Sequence, residues 1–224
     1  MKRKRLLREN DKKKNKVVKK KRVDKQIYWM FWIMIFLVLV VLLIYYIKIN
    51  ANIFEYKDLK FTKEMFGKIP VYRYTYHFEG RTGFMTFNLL LRIDPRENKV
   101  PVNGDITFPI GKTAYISVNS TGLNECEDSR IALSSLASFI SNNQIKVKGA
   151  SPDPIKANES KVVYATCDNY KDNPVILVQK ADNTEINNVG LCYTINVNNC
   201  EILSAIEKFE IEALLNARAI NLGK

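Results

Sequence analysis

Residues 114–149 read AYISVNSTGLNECEDSRIALSSLASFISNNQIKVKG. Three pieces with different periods follow one another. Ala114 to Val118 is a short, mostly apolar run, as in a strand buried on both faces. Between Ser129 and Asn142, the residues Leu133, Leu136, Ala137 and Ile140 recur at helical spacing, with Asp128 or Ser129 placed to cap the first turn. Ile145 to Gly149 returns to strand. A strand–helix–strand unit normally makes a right-handed crossover between parallel strands. The expected fold class is therefore α/β: one or two mixed sheets with at least two helices.

Upstream, VYRYTYHF alternates, with Tyr72, Tyr74, Tyr76 and Phe78 on one face and Arg73, Thr75 and His77 on the other. After EGRTG, the run FMTFNLLLR puts Met85, Phe87, Leu89 and Leu91 on one face. The two runs read as a hairpin with one apolar side, either extending the main sheet or forming its own layer. Downstream, SPDPIKANES reads as a proline-bearing loop and residues 162–166 as a strand. VILVQ and, about a dozen residues later, LCYTINV read as antiparallel neighbours. A final helix over residues 201–217 buries Ile202, Ile206, Phe209 and Ala213, a stripe widened by Leu203 and Leu214.

Further out, residues 27–47 form a twenty-one-residue stretch with no charge. As a helix it is about 31 Å long, the thickness of a bilayer's hydrocarbon core. Trp29 and Trp32 lie near one end and Tyr45 and Tyr46 near the other, as interfacial anchors do. Ahead of it, residues 1–26 hold fourteen Lys and Arg against Glu9, Asp11 and Asp24, a net of 14 − 3 = +11 out of +12 for the whole chain. The rest is nearly neutral, so the basic pI does not mark a nucleic-acid-binding domain. Positive charge beside a span stays cytoplasmic, so the N-terminus is expected inside the cell membrane and the C-terminal domain outside it. The long basic n-region, the long apolar core and the lack of an A-x-A pattern favour an uncleaved signal anchor over a cleaved signal peptide. The expected organisation is a basic cytoplasmic tail over 1–26, a transmembrane helix over 27–47, a stalk over 48–60 and an extracytoplasmic α/β domain over 61–219. Lys19, Lys20, Lys21, Arg22 and Lys25 would meet anionic lipid headgroups. The tail lacks aromatic residues for stacking on bases, and nucleic acid is not an expected partner.

All four cysteines follow the span: Cys126, Cys167, Cys192 and Cys200. An even number in an exported domain points to disulfides, and the spacing lacks the close pairs of a structural zinc site. Cys192 and Cys200 flank one strand, too far apart to bond with each other. Two pairings remain. Antiparallel neighbours VILVQ and CYTINV would bring Cys167 beside Cys200 and leave Cys192 for Cys126; the alternative is Cys126–Cys200 with Cys167–Cys192.

No residue stands out as catalytic, cofactor-binding or metal-ligating. Gly111-Lys112-Thr113 lacks the glycine spacing of a phosphate loop, and Pro109 interrupts it. His77 is the single histidine, on the polar face of its strand, and no serine has a nucleophile elbow around it. Glu125, Glu127 and Asp128 cluster ahead of a helix, where negative charge is favourable. The tyrosine row could be an exposed stacking platform, but the matching apolar face of residues 85–91 favours core. Asn119-Ser120-Thr121 and Asn158-Glu159-Ser160 fit the N-glycosylation pattern, and both are expected in loops.

The segments LLLRIDPREN (89–98), IKVKGA (145–150) and VNNCEI (197–202) resemble uncharacterised single-span membrane proteins of archaea. The resemblance implies a compartment and a type of protein, and no activity. The expectation is an anchored extracytoplasmic domain that works by binding or assembly, with no cofactor and with a possible protein partner outside the membrane. The runner-up is an anchored enzyme whose site is built from scattered residues.

Overall fold

The computed structural model describes residues 28–47, 52–80, 83–109 and 111–222. Contacts divide the chain into two units, with the boundary at Ile53. The first contains helix α1, Tyr28–Ile47, twenty residues with a mean hydropathy of 2.9. Among the described residues it is the one helix long and apolar enough to cross a membrane. It is apolar on every face, as a helix solvated by lipid is.

The second unit is built of three layers. The first is an antiparallel sheet of β1 (Ile53–Tyr56), β2 (Leu59–Phe66), β3 (Ile69–Gly80) and β4 (Gly83–Leu91), in that order. Lys57 and Asp58 close the β1–β2 turn, both at positive φ, as a type I′ two-residue hairpin requires. The alternation seen in β3 and β4 places Tyr72, Leu89 and Leu91 in the core, where Phe61 and Leu59 of β2 join them. Residues 53–60, expected in a stalk, are thus the first strands of the domain. Their period is short and broken by the turn, which hid it.

The second sheet has seven strands: β5 (Val102–Asn103), β6 (Thr113–Val118), β7 (Lys146–Ser151), β8 (Val163–Tyr164), β9 (Val175–Lys180), β10 (Glu185–Val189) and β11 (Cys192–Val197). Their spatial order is β5-β10-β11-β9-β6-β7-β8. Helix α2, Ser129–Asn142, crosses from β6 to the parallel β7, as the first stretch of sequence implies. Helix α3, Pro154–Glu159, replaces the expected loop; Asp153 caps it by accepting the Ile155 and Lys156 amides, and Pro154 takes the first turn, where no N–H is needed.

One expectation about this sheet fails. β9 and β11 run parallel, with Cys192 opposite Val175. The reason is β10, an Asn-rich strand that reads as a loop in sequence. It forms the hairpin with β11, so the chain reverses once more than expected.

Between the sheets lie α2 and α4, Ile202–Leu222. Phe209 of α4 packs edge-on against Tyr193 of β11, with ring centroids 5.7 Å apart. On its other side Lys208 donates to the Tyr56 hydroxyl of β1 at 3.1 Å. The middle of α4 is therefore covered on both faces. One core cluster runs through all three layers, from Phe61 and Tyr72 through Leu136 and Phe209 to Ile176 and Ile195.

Candidate functional site

The buried middle of α4 carries charge. Glu207 is 2% exposed, and its carboxylate accepts the backbone N–H groups of Arg92 at 2.7 Å and Ile93 at 3.0 Å, just past β4. Burial pushes its pKa up to about 7, against the pull of those two amides. Glu210, one turn on, is fully buried and accepts from the Ser135 hydroxyl of α2 at 2.9 Å. Burial pushes it up to about 8, and its Oε2 has no hydrogen-bond partner among the described residues. Lys208 and Glu212 pair at 3.0 Å, and Lys57 of the β1–β2 turn reaches Glu212 at 2.7 Å. These contacts fasten the first sheet to α4.

Beside this cluster the C-terminal half of α4, the end of α2 and the segment before β6 enclose an apolar groove of about 350 Å³. Phe108, Phe139, Ile140, Leu214 and Ile220 are among its walls. Asn143 supplies polarity, donating to the Tyr76 hydroxyl at 3.0 Å and to the Phe139 carbonyl at 2.7 Å. Neither Glu207 nor Glu210 is among the residues that line the groove. The groove has the form of a small-ligand or side-chain pocket: concave, mainly apolar, with few polar groups.

The outer face of the seven-stranded sheet carries a second polar feature. Asn103 donates to Asn187 at 2.8 Å, Asn187 and Asn196 both donate to Glu185, at 2.9 and 3.3 Å, and Gln179 donates to Asn196 at 3.1 Å. This ladder links β5, β10, β11 and β9 side chain to side chain.

The four cysteines form two disulfides, Cys126–Cys200 and Cys167–Cys192, which corrects the pairing of Cys167 with Cys200 and Cys126 with Cys192. The cause is strand direction. Because β9 and β11 are parallel, Cys167 before β9 and Cys192 at the start of β11 share the amino edge of the sheet. Cys126 follows β6, which is also parallel to β9, so it shares the carboxyl edge with Cys200, which follows β11.

His77 is exposed, with Nδ1 2.8 Å from the Thr86 hydroxyl across the hairpin. Tyr72 is buried; Tyr74 and Tyr76 are half-buried and packed against the core. Asn119 lies in a loop, where its side chain accepts the Thr121 amide at 3.2 Å. Asn158 is exposed in α3, a short helix where a loop was expected. Lys19, Lys20, Lys21, Arg22 and Lys25 lie outside the described residues. No group of His, Cys, Asp and Glu suited to a metal ion occurs among the described residues.

The buried acids were missed because a stripe-based reading assigns polar helix residues to solvent; a second covering layer leaves no periodic signal in α4 itself. No family model matches the chain, and neither a curated protein nor a solved structure matches it.

Proposed function

We propose that this is a single-pass, membrane-anchored protein whose C-terminal domain stands outside the cytoplasm and works by binding or assembly. The observation that carries the reading is the placement of the cysteines: all four follow the apolar helix, and all four are closed into disulfides. Disulfides persist in oxidising compartments, and an apolar helix of bilayer length holds the domain at the surface of one. The charge of the first 26 residues supports a cytoplasmic N-terminus, with Lys19, Lys20, Lys21, Arg22 and Lys25 against anionic headgroups. The groove between α2 and α4 is the concave element such a domain offers to an apolar group of a partner.

Protease added to intact cells tests the topology. Digestion should remove the domain beyond residue 60 and spare a tag at Met1. Protection of the domain, with loss of the tag, would reverse the orientation.

A further inference from the structure

The tip of the β2–β3 hairpin is apolar and, among the described residues, uncovered. Phe66 is 81% exposed, Met65 61% and Ile69 45%. In the register Phe66 faces Ile69 and Met65 faces Pro70, with Gly67 and Lys68 forming a two-residue turn. Gly67 holds a φ of +64°, which a turn of this kind asks of its first residue. Successive side chains on a strand point to opposite faces, so Met65 and Phe66 make the tip apolar on both sides. Docking against a partner's surface uses one face. A tip apolar on both faces suits immersion in an apolar medium.

The topology says where that tip points. Phe54 of β1 stacks on Phe61 of the neighbouring β2, with centroids 5.7 Å apart. Beyond Phe61, β2 continues for five further residues to Phe66, about 17 Å. The tip therefore extends toward the side from which the chain enters β1. Upstream of Phe54, only seven peptide units separate it from Ile47, the last residue of α1, a contour length of at most about 24 Å. With α1 in a bilayer, a tether of that length keeps the start of β1 within about 24 Å of the lipid, a distance comparable with the reach of the hairpin tip. Lys68 in the turn can carry its ammonium back to the headgroups along its alkyl stem, and Lys63, with its ammonium 5.6 Å from the centre of the Tyr72 ring, adds a cation on β2. Phe84, 86% exposed, sits at the opposite end of β3, beside the β3–β4 turn.

We propose that the Met65–Phe66–Gly67–Lys68–Ile69 tip inserts into the lipid interface and makes a second contact between the domain and the membrane that anchors it. The inference rests on the anchoring read above. A domain held at two points has a fixed attitude to the bilayer, so its outer surfaces face in set directions.

The full-length chain, reconstituted in vesicles of phosphatidylcholine and phosphatidylglycerol with brominated acyl chains, tests it. A fluorophore is placed on Phe66→Cys, and in separate samples on Phe84→Cys and Val189→Cys, under non-reducing conditions. Resistance to alkaline carbonate first establishes that α1 is embedded; release would overturn the anchoring itself and the inference with it. With the chain embedded, the label at residue 66 should lose emission to the brominated chains and shift to the blue, while labels at 84 and 189 stay unquenched. Equal, water-like emission at all three positions would overturn the insertion. Quenching at residue 84 as strong as at residue 66 would overturn it too, since the whole outer face of the sheet would then lie on the lipid.

Discussion

Ser135 of α2 donates its hydroxyl to Glu210 of α4 at 2.9 Å, and the second carboxylate oxygen of Glu210 is buried without a partner. A charge there is held by one hydrogen bond, with Glu207 of the same helix adding repulsion. The neutral acid is the favoured form in the folded chain.

This makes stability depend on pH in a defined direction. The folded pKa of Glu210 is about 8 and that of Glu207 about 7, against a usual 4.5. Between pH 4.5 and 8 the folded chain keeps protons that the unfolded chain has released, so stability falls as pH rises. Arg92 and Asp128 act on Glu207 in opposite senses, and Tyr76 lies near Glu210. Thermal unfolding of the domain should show a lower Tm at pH 8 than at pH 5. Glu210→Gln should raise stability at pH 8 by on the order of 1–3 kcal/mol and flatten the profile. An unchanged slope in that variant would show that Glu210 is ionised in the fold.

Glu207→Gln should act in the opposite sense. Both Glu207 oxygens accept backbone N–H groups. An amide nitrogen in place of one oxygen would face a donor with a donor. The variant should lose about 1–3 kcal/mol near pH 7 in a denaturant titration, the cost of a buried unsatisfied group.

Non-reducing peptide mapping should recover Cys126 with Cys200 and Cys167 with Cys192. The first closes a separation of 74 residues and the second one of 25. On loop-closure entropy, replacing both cysteines of the first pair by alanine should cost about 1 kcal/mol more than doing so for the second, within a range of about 2–4 kcal/mol each. Equal losses would show that native packing around the bonds outweighs the entropy of the unfolded chain.

Tyr72→Ala should cost about 3–5 kcal/mol, as for a large buried aromatic. Tyr74→Ala should cost less, because its ring is half-buried between Phe61 at 5.5 Å and Tyr76 at 6.0 Å. His77→Ala should change stability by less than about 0.5 kcal/mol, since the ring is on the open face. Urea midpoints of the three variants give the ranking.

Sequence alone determined what local period and charge encode. The unbroken apolar run of α1 gives a helix long and apolar enough to cross a membrane, with no face patterned for water. The alternation around Tyr72 and the helical spacing in Leu133–Ile140 give the β3–β4 hairpin and the β6–α2–β7 crossover, since side-chain direction repeats every two residues in a strand and every 3.6 in a helix. Tertiary structure decided what depends on partners distant in the chain. β10 is a strand through its pairing with β5 and β11 rather than through apolar alternation, and its presence makes β9 and β11 parallel. The disulfide pairing follows from that direction. Glu207 and Lys208 are buried because the N-terminal sheet closes over the face of α4 that a single sheet would have left to solvent, while Glu210 is met by Ser135 of α2. Burial of a residue is a property of everything packed around it, and the layer that covers α4 comes from more than 110 residues earlier in the chain.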